Sequence, residues 1–283
     1  MRTRIISGAV GVLLLSAVLY FHDTIVLPIA VAAIIAVMLF ELLRAVKLHK
    51  CVPVLLAAEA CGIAVPFIYS FFYLWEEKEK GVWIETKDGA VTLAAFAVTL
   101  ICAFVVFITW LRKHKEIRYE QVFFVLAVMI LVPQAMTTMV RIERLSGLFY
   151  LVMGLCGAWI ADTGAYFSGV ALGKHKLCPE ISPKKTVEGL VGGVLTTAIV
   201  YTVAFGIHDG FTVKTAVLAF VTGAVCAVIG TVGDLSASMV KRQIGFKDYG
   251  KIMPGHGGLM DRFDSVLFVL PTFYVFLNIM NLF

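Results

Sequence analysis

The fold is decided by a long apolar stretch at residues 24–46, which reads TIVLPIAVAAIIAVMLFELLRAV. A helix that crosses the hydrocarbon core of a bilayer needs about 20 mostly apolar residues. This stretch is long enough, and its only charged residues, Glu41 and Arg44, stand near its end. It therefore predicts a transmembrane helix.

Eight further runs match this length or come close to it. The run nearest the N-terminus follows Met-Arg-Thr-Arg and resembles a signal peptide, but no small-residue cleavage site precedes His22. We therefore expect it to remain as an uncleaved first span. The nine runs together predict an all-α, polytopic membrane protein with about nine transmembrane helices, at about 5–21, 24–46, 52–75, 90–111, 121–140, 148–171, 190–207, 215–232 and 265–283.

The composition agrees with a membrane protein and argues against other classes. Of the 283 residues, 60% are hydrophobic and 15% are charged, whereas soluble domains have about 45–50% and about 25%. The six cysteines form no CxxC pair, so neither a zinc site nor a disulfide framework is indicated. The net charge of +5 is spread over several loops rather than gathered in a stripe, which argues against nucleic-acid binding.

The distribution of Lys and Arg predicts the orientation. If the N-terminus is cytoplasmic, 18 of the 24 basic residues lie in the inner segments. Basic residues in short loops favour the cytoplasmic side. We therefore expect an integral membrane protein with a cytoplasmic N-terminus.

The chain has no internal repeat and no linker rich in proline or glycine. It is interpreted as one membrane domain over residues 1–283, with N-terminal helical spans at 1–150 and a catalytic helical part at 151–283. The two longest inner loops, 172–189 and 233–264, contain most of the polar residues suited to chemistry.

Three carboxylates lie inside apolar runs, where an ionised group is costly and is usually paired or functional. Asp162 lies among small residues in Ala158-Trp-Ile-Ala-Asp-Thr-Gly-Ala-Tyr166, which allow a helix or a ligand to approach closely. It either forms an interhelical hydrogen bond or lines a polar cavity that opens to the cytoplasm, and the second interpretation is favoured. For Glu41 and Glu59 a structural role is favoured.

The first inner loop contains Ser182-Pro-Lys-Lys-Thr186. Lysine binds phosphate as a point charge, and hydroxyl groups add hydrogen bonds. The loop is therefore either a phosphate-binding segment, through Ser182, Lys184, Lys185 and Thr186, or simply a basic cytoplasmic loop.

The second inner segment has a higher density of charge. If the eighth helix continues through it, Asp234 and Ser238 lie at i and i+4 on one face. Asp261 and Asp264 stand one helical turn apart at the start of the last span, which predicts that both carboxylates point the same way. Helix capping alone does not explain this many charges. Mg²⁺ prefers oxygen ligands and takes one or two carboxylates plus substrate phosphates, so a magnesium–phosphate site is predicted here.

The same segment carries a specific pattern. It consists of Ser238-x-Val-Lys-Arg242, then Lys247-Asp248-x-Gly250, then Pro254-x-His-Gly-Gly-Leu-x-Asp-Arg-Phe-Asp264. Along its whole length it resembles the signature of the phosphatidate cytidylyltransferase (CDP-diacylglycerol synthase) family. Asp162-x-x-Ala-Tyr166 and the Ser182–Gly189 stretch are similar to a second typical stretch of that family. The match covers residues 155–265, whereas residues 1–150 match only as hydrophobic spans.

The resemblance implies transfer of CMP from CTP to phosphatidic acid, with release of pyrophosphate, by a homodimer in the lipid bilayer. It implies Mg²⁺ and a second, monovalent cation such as K⁺. The metal would be held by Asp234, Asp261 and Asp264, which with Lys184, Lys185 and His256 form the predicted catalytic set. His256 either acts on a phosphate directly or serves only through the backbone of its turn. The predicted substrate-binding residues are Asp162, Ser182, Thr186, Ser238, Lys241, Arg242, Lys247, Asp248, Gly257, Gly258 and Arg262.

Three rival functions are weaker. A transporter would show inverted repeats and broken helices in matching halves, and neither is present. The aspartate-rich motif of the CDP-alcohol phosphotransferases is missing. A cytidylyltransferase acting on another lipid phosphate remains open, because its head-group site would look the same.

Overall fold

The computed structural model describes residues 2–76, 85–253, 255 and 257–282. Within these ranges the chain forms nine long helices, one helix of four residues and two short strands. In chain order they are α1 Arg2–Tyr20, α2 Val26–Ala45, α3 Val52–Glu76, α4 Glu85–Arg112, α5 Tyr119–Ser146, α6 Leu148–Leu172, β1 Lys176–Cys178, β2 Ser182–Thr186, α7 Val187–Asp209, α8 Val213–Gln243, α9 Met260–Phe263 and α10 Val266–Leu282.

The predicted all-α membrane fold is confirmed. Among the described residues, eight helical stretches are long and apolar enough to cross a membrane, and the last of them, Met260–Ile279, combines α9 with most of α10. The first helix contributes a shorter apolar stretch, Ser7–Tyr20. All nine predicted runs therefore coincide with helices, while the orientation of the N-terminus stays a prediction.

The chain divides into two compact units. The N-terminal unit comprises Met1–Leu145 together with Asp248–Asp261, and the C-terminal unit comprises Ser146–Lys247 together with Arg262–Phe283. The polar segment 233–264 thus contributes to both units.

The core of the N-terminal unit lies among α2, α3, α4 and α5. Its fully buried side chains include Leu43, Ala58, Val65, Val125 and Met129. Lipid tails are as apolar as these side chains, so the hydrophobic effect does not drive such helices together. Close van der Waals packing stabilises this bundle instead.

In the C-terminal unit, small residues bring α6 and α7 together. A Cβ atom added at Gly193 would lie 2.7 Å from the carbonyl oxygen of Ala161, and one at Gly164 would lie 2.7 Å from the side chain of Thr196. No larger residue fits at either position without separating the helices. The close approach predicted from the small residues around Asp162 is therefore present in this unit.

The predicted inner loop at 172–189 contains the two short strands found in the described part of the chain. Strands β1 and β2 pair in an antiparallel hairpin, with Lys176 opposite Thr186 and Cys178 opposite Ser182. At the end of β2 the hydroxyl of Thr186 accepts a hydrogen bond from the backbone N–H of Gly189 at 3.1 Å, which caps α7. The hairpin and the cap fix the position of the lysines in β2.

Two details of the second inner segment bear on the predicted site. Helix α8 does continue to Gln243, so Asp234 and Ser238 share one face. Asp261 and Asp264 do stand at the start of the last apolar stretch, Met260–Ile279. Asp264, however, lies in the two-residue break between α9, which ends at Phe263, and α10, which begins at Val266. Helical spacing therefore does not set the relative direction of the two carboxylates.

Candidate active site

A cluster of opposite charges forms in the C-terminal unit around Asp234 on α8. The ammonium group of Lys185, on β2, forms an ion pair with Oδ2 of Asp234, and both side chains are 25% exposed. Successive residues of a strand point to opposite sides, so Lys184 points away from Lys185 and is exposed. The hairpin thus selects one of the two predicted lysines for contact with the aspartate.

Asp264 extends this cluster from the turn between α9 and α10. It is 8% exposed, and its Oδ1 accepts a hydrogen bond from the backbone N–H of Ser265 at 2.8 Å. Its carboxyl group also lies within hydrogen-bonding reach of Asp234, and the charge of Lys241 acts on it. Residues that are 30 positions apart in the sequence therefore meet in one place.

Asp162 on α6 completes the cluster. The charges that act on it are those of Lys185, Asp234 and Arg262. Its side chain is exposed at the surface of the C-terminal unit, so the cluster is open on this side. We refer to Asp162, Lys185, Asp234 and Asp264 as the aspartate–lysine cluster.

The oxygen donors of this cluster fit Mg²⁺. Two neighbouring carboxylates repel each other unless a cation or a proton lies between them, and Asp234 and Asp264 are such a pair. Within the described ranges, no group of three His, Cys, Asp or Glu residues lies close enough to hold a metal ion on its own. Mg²⁺ commonly takes only one or two carboxylates and completes its shell with water and substrate phosphates. Mg²⁺ binding by this pair stays a prediction, as does a role for Asp261 as a third ligand.

The glycine-rich part of the signature belongs to the N-terminal unit and forms a tight turn. The backbone N–H of Met253 donates to the carbonyl oxygen of Gly257 at 3.1 Å. Gly255 and Gly257 have φ angles of 81° and 91°, which side chains with a Cβ rarely adopt. The described residues of this stretch therefore form a turn, whereas Pro254 and His256 lie outside the described residues.

Asp261 holds this turn to the preceding segment. Its Oδ2 accepts hydrogen bonds from the backbone N–H groups of Tyr249, at 2.8 Å, and Gly258, at 2.9 Å. The side chain is 8% exposed. These two hydrogen bonds of Asp261 are thus to backbone N–H groups. Asp264 belongs to the C-terminal unit, where it contacts Asp234 of the same unit.

The sequence did not reveal the partner of Glu41. This residue is 1% exposed, and its two carboxylate oxygens accept hydrogen bonds from the backbone N–H groups of Leu259, at 3.1 Å, and Met260, at 2.9 Å. One turn further along α2, Arg44 donates to the carbonyl oxygen of Tyr249 at 2.9 Å. The only signal in the sequence was a carboxylate inside an apolar run.

Other predicted site residues of the C-terminal unit show no hydrogen bond or ion pair to this cluster within the described ranges. Arg242 and Lys247 are exposed, as is Asp248 of the N-terminal unit, and Ser182 and Ser238 are half-buried. Thr186 is 8% exposed and serves as the cap of α7. Their predicted roles in substrate binding remain predictions.

Comparison with known proteins places the chain in a family. The sequence model of the cytidylyltransferase family matches residues 2–280. The chain belongs to the cytidylyltransferase family. The match spans both units, so the aspartate–lysine cluster and the glycine-rich turn both lie within the family region.

Individual relatives agree with this membership of the cytidylyltransferase family. The chain is 34% identical to the phosphatidate cytidylyltransferase of Bacillus subtilis (strain 168) over 99% of this chain and 99% of the relative. It is 46% identical to the phosphatidate cytidylyltransferase of Staphylococcus saprophyticus over 47% of this chain and 51% of the relative. For the protein of the same name in Staphylococcus aureus (strain COL), identity is 45% over the same shares. The resemblance drawn from the signature is thereby confirmed.

Proposed function

We propose that this chain transfers CMP from CTP to phosphatidate, forming CDP-diacylglycerol and releasing pyrophosphate. The observation that carries the proposal is the contact of Lys185 and Asp264 with Asp234. Similarity to a known protein also supports the proposal, because the chain matches a relative named phosphatidate cytidylyltransferase over 99% of both lengths.

The chemistry needs positioning more than it needs a base. A phosphate monoester has a second pKa of about 6, so the phosphate of phosphatidate is largely a dianion at neutral pH. One of its oxygens attacks the α-phosphorus of CTP. The bond from the α-phosphorus to the bridging oxygen breaks, and pyrophosphate leaves with the electron pair. The obstacle is repulsion between a dianion and a triphosphate, which fixed positive charge reduces.

The residues of the cluster suit this task. Lys185 and Lys241 lie beside the carboxyl pair and offer positive charge to phosphate oxygens. Asp234 and Asp264 would hold Mg²⁺, and Asp261 is proposed as a further ligand of that ion or of a monovalent cation such as K⁺. When bound, Mg²⁺ neutralises and aligns the phosphates for in-line attack.

We further propose that the site faces the cytoplasm at the inner membrane of a bacterium and that the chain works as a homodimer. The excess of basic residues in the inner segments supports the orientation. CTP would then enter from the cytoplasm, and phosphatidate would enter sideways from the inner leaflet. The exposure of Asp162 supports a site that is open at membrane depth.

A direct assay tests the proposal. Purified protein is supplied with CTP, phosphatidate and Mg²⁺, and both pyrophosphate and CDP-lipid are measured. We expect equal amounts of the two products, and we expect none when dioleoylglycerol replaces phosphatidate, because it lacks the attacking phosphate. Absence of product with phosphatidate across several detergents and salt concentrations would refute the proposal. Faster turnover with an ether-linked lipid phosphate would reassign the acceptor.

A further inference from the structure

The carboxylate of Glu41 sits in a socket made by the signature segment of the N-terminal unit. A Cβ atom added at Gly250 would overlap Oε1 of Glu41, and one at Gly258 would lie 2.5 Å from Oε2 and 2.6 Å from Oε1. Only glycine leaves room for the carboxylate at these two positions. The two glycines of the signature are therefore matched in shape to a side chain more than 200 positions earlier in the chain.

The hydrogen bonds of this socket use both oxygens of Glu41. Leu259 and Met260 each donate a backbone N–H to it, and these are the residues at the start of α9. Hydrogen bonds to an ionised acceptor are stronger than neutral ones. Replacing Glu41 with Gln would turn an amide NH₂ towards one of the two N–H donors and would lose that bond.

Further hydrogen bonds hold residues 249–260, which we call the clamped segment, in place. Asp261 accepts from Tyr249 and Gly258, and Arg44 on α2 donates to the carbonyl oxygen of Tyr249. Glu41 and Arg44 are three positions apart and therefore lie on one face of α2. The segment 249–260 is thus held to α2 at its first residue by Arg44 and at its last two residues by Glu41.

We propose that Glu41 is a positioning residue for the reaction, which sets the backbone of residues 249–260 and thereby the place of Gly257, Gly258 and Asp261. This inference rests on the proposed function for its kinetic readout. It gives a role to a membrane-embedded carboxylate that takes no part in the aspartate–lysine cluster. A misplacement of about 1 Å near reacting groups costs about 100-fold in rate, so loosening the segment lowers kcat.

The test compares Glu41→Gln with Glu59→Gln. Glu59 lies in the apolar helix α3 and forms no hydrogen bond or ion pair with any residue in the described ranges, so it is a matched control. For Glu41→Gln we expect kcat to fall by about 10- to 100-fold per folded enzyme, while Glu59→Gln keeps the wild-type value. A merely structural role would lower the yield or the melting temperature and leave kcat of the folded fraction unchanged.

Limited trypsin digestion gives a readout that does not depend on turnover. Lys251 is exposed within the clamped segment, and Lys115 is exposed in a separate loop of the same unit. In Glu41→Gln we expect cleavage after Lys251 to accelerate by about tenfold relative to cleavage after Lys115, because local opening governs proteolysis. A kcat within twofold of wild type, or an unchanged cleavage ratio, overturns the inference.

If Glu41→Gln does not fold, Gly250→Ala tests the same contact, and a double-mutant cycle with Glu41→Ala is added where that variant folds. Gly250→Ala displaces the carboxylate without removing it and should reproduce the loss of kcat. In a Glu41→Ala background the same change should cost less, because the overlap with the carboxylate is gone and only the 2.9 Å contact with the Cα atom of Gly258 remains. Additive losses overturn the inference. If the wild-type protein makes no CDP-lipid, the proposed function fails, and the cleavage ratio still decides whether Glu41 holds the segment.

Discussion

Replacing Lys185 with Met is the most informative test of the aspartate–lysine cluster. Met keeps most of the length of the side chain and removes its charge. The ammonium group is paired with Asp234, and its charge also acts on Asp162. The change therefore removes the ion-pair partner of Asp234 and a positive charge that acts on Asp162, whereas Asp264 keeps the charge of Lys241.

The size of the effect follows from the exposure of the pair. Two unit charges 4 Å apart interact by about 4 kcal/mol at an effective dielectric constant of 20. Both partners are 25% exposed, so water screens part of this energy, and exposed pairs contribute only about 0–1 kcal/mol. We expect a loss of about 1–2 kcal/mol in the stability of the Mg²⁺-free protein. Removing one fixed electrostatic contact to a reacting phosphate costs about 3 kcal/mol in the transition state, which is roughly 100-fold in kcat.

The assay measures pyrophosphate release and thermal unfolding in detergent, each with and without Mg²⁺. Lys176→Met, on the neighbouring strand, is the control and should retain full activity, because Lys176 is exposed and its side chain makes no contact with the cluster. Lys184→Met should lose only a few-fold, since Lys184 points away from Lys185. A Lys185→Met enzyme with kcat within threefold of wild type would refute the role assigned to the cluster.

Three further changes test other parts of the site and fold. Asp264→Asn should lower kcat by at least 100-fold at saturating Mg²⁺ while the protein remains folded, because it removes one carboxylate of the pair; retained turnover would remove Asp264 from the site. Gly193→Ala should destabilise the protein by about 1–3 kcal/mol, because the added methyl group meets the carbonyl oxygen of Ala161, whereas Gly89→Ala, which meets nothing within 4 Å, should be neutral or slightly stabilising; equal melting temperatures would contradict this. Thr186→Val should cost about 1 kcal/mol through loss of the cap, and an increase in KM for CTP without a change in melting temperature would instead assign Thr186 to phosphate binding.

The helices were predictable because their cause is local. An apolar run of sufficient length forms a helix in lipid, since no water is present to satisfy its backbone groups. Each of the nine long helices in the described part of the chain coincides with such a run. Where a helix continues into polar sequence, the end of the apolar run does not mark the end of the helix. The eighth apolar run ends near residue 232, whereas α8 continues to Gln243, because the polar residues that follow are still compatible with a helix.

The site was predictable only in part, because some of its contacts have no local cause. The spacing of Asp234 and Ser238 on one face of α8 follows from helical geometry. The choice of Lys185 over Lys184 depends on a hairpin whose pairing joins Lys176 to Thr186, and no periodicity in the loop indicates it. The contact of Glu41 with Leu259 joins residues 218 positions apart, which a single sequence cannot reveal.

The residues of the signature belong to both units, and this division explains why their spacing matters. It is continuous from Ser238 to Asp264, yet the chain leaves the C-terminal unit after Lys247 and returns to it at Arg262. The intervening residues are fixed within the N-terminal unit by Glu41, Arg44 and Asp261. The fixed spacing is therefore required twice, once for the backbone contacts of the clamped segment and once for the return of Asp264 to Asp234. One inserted residue between Gly258 and Asp261 would keep every charged group of the signature but would break one of these two sets of contacts.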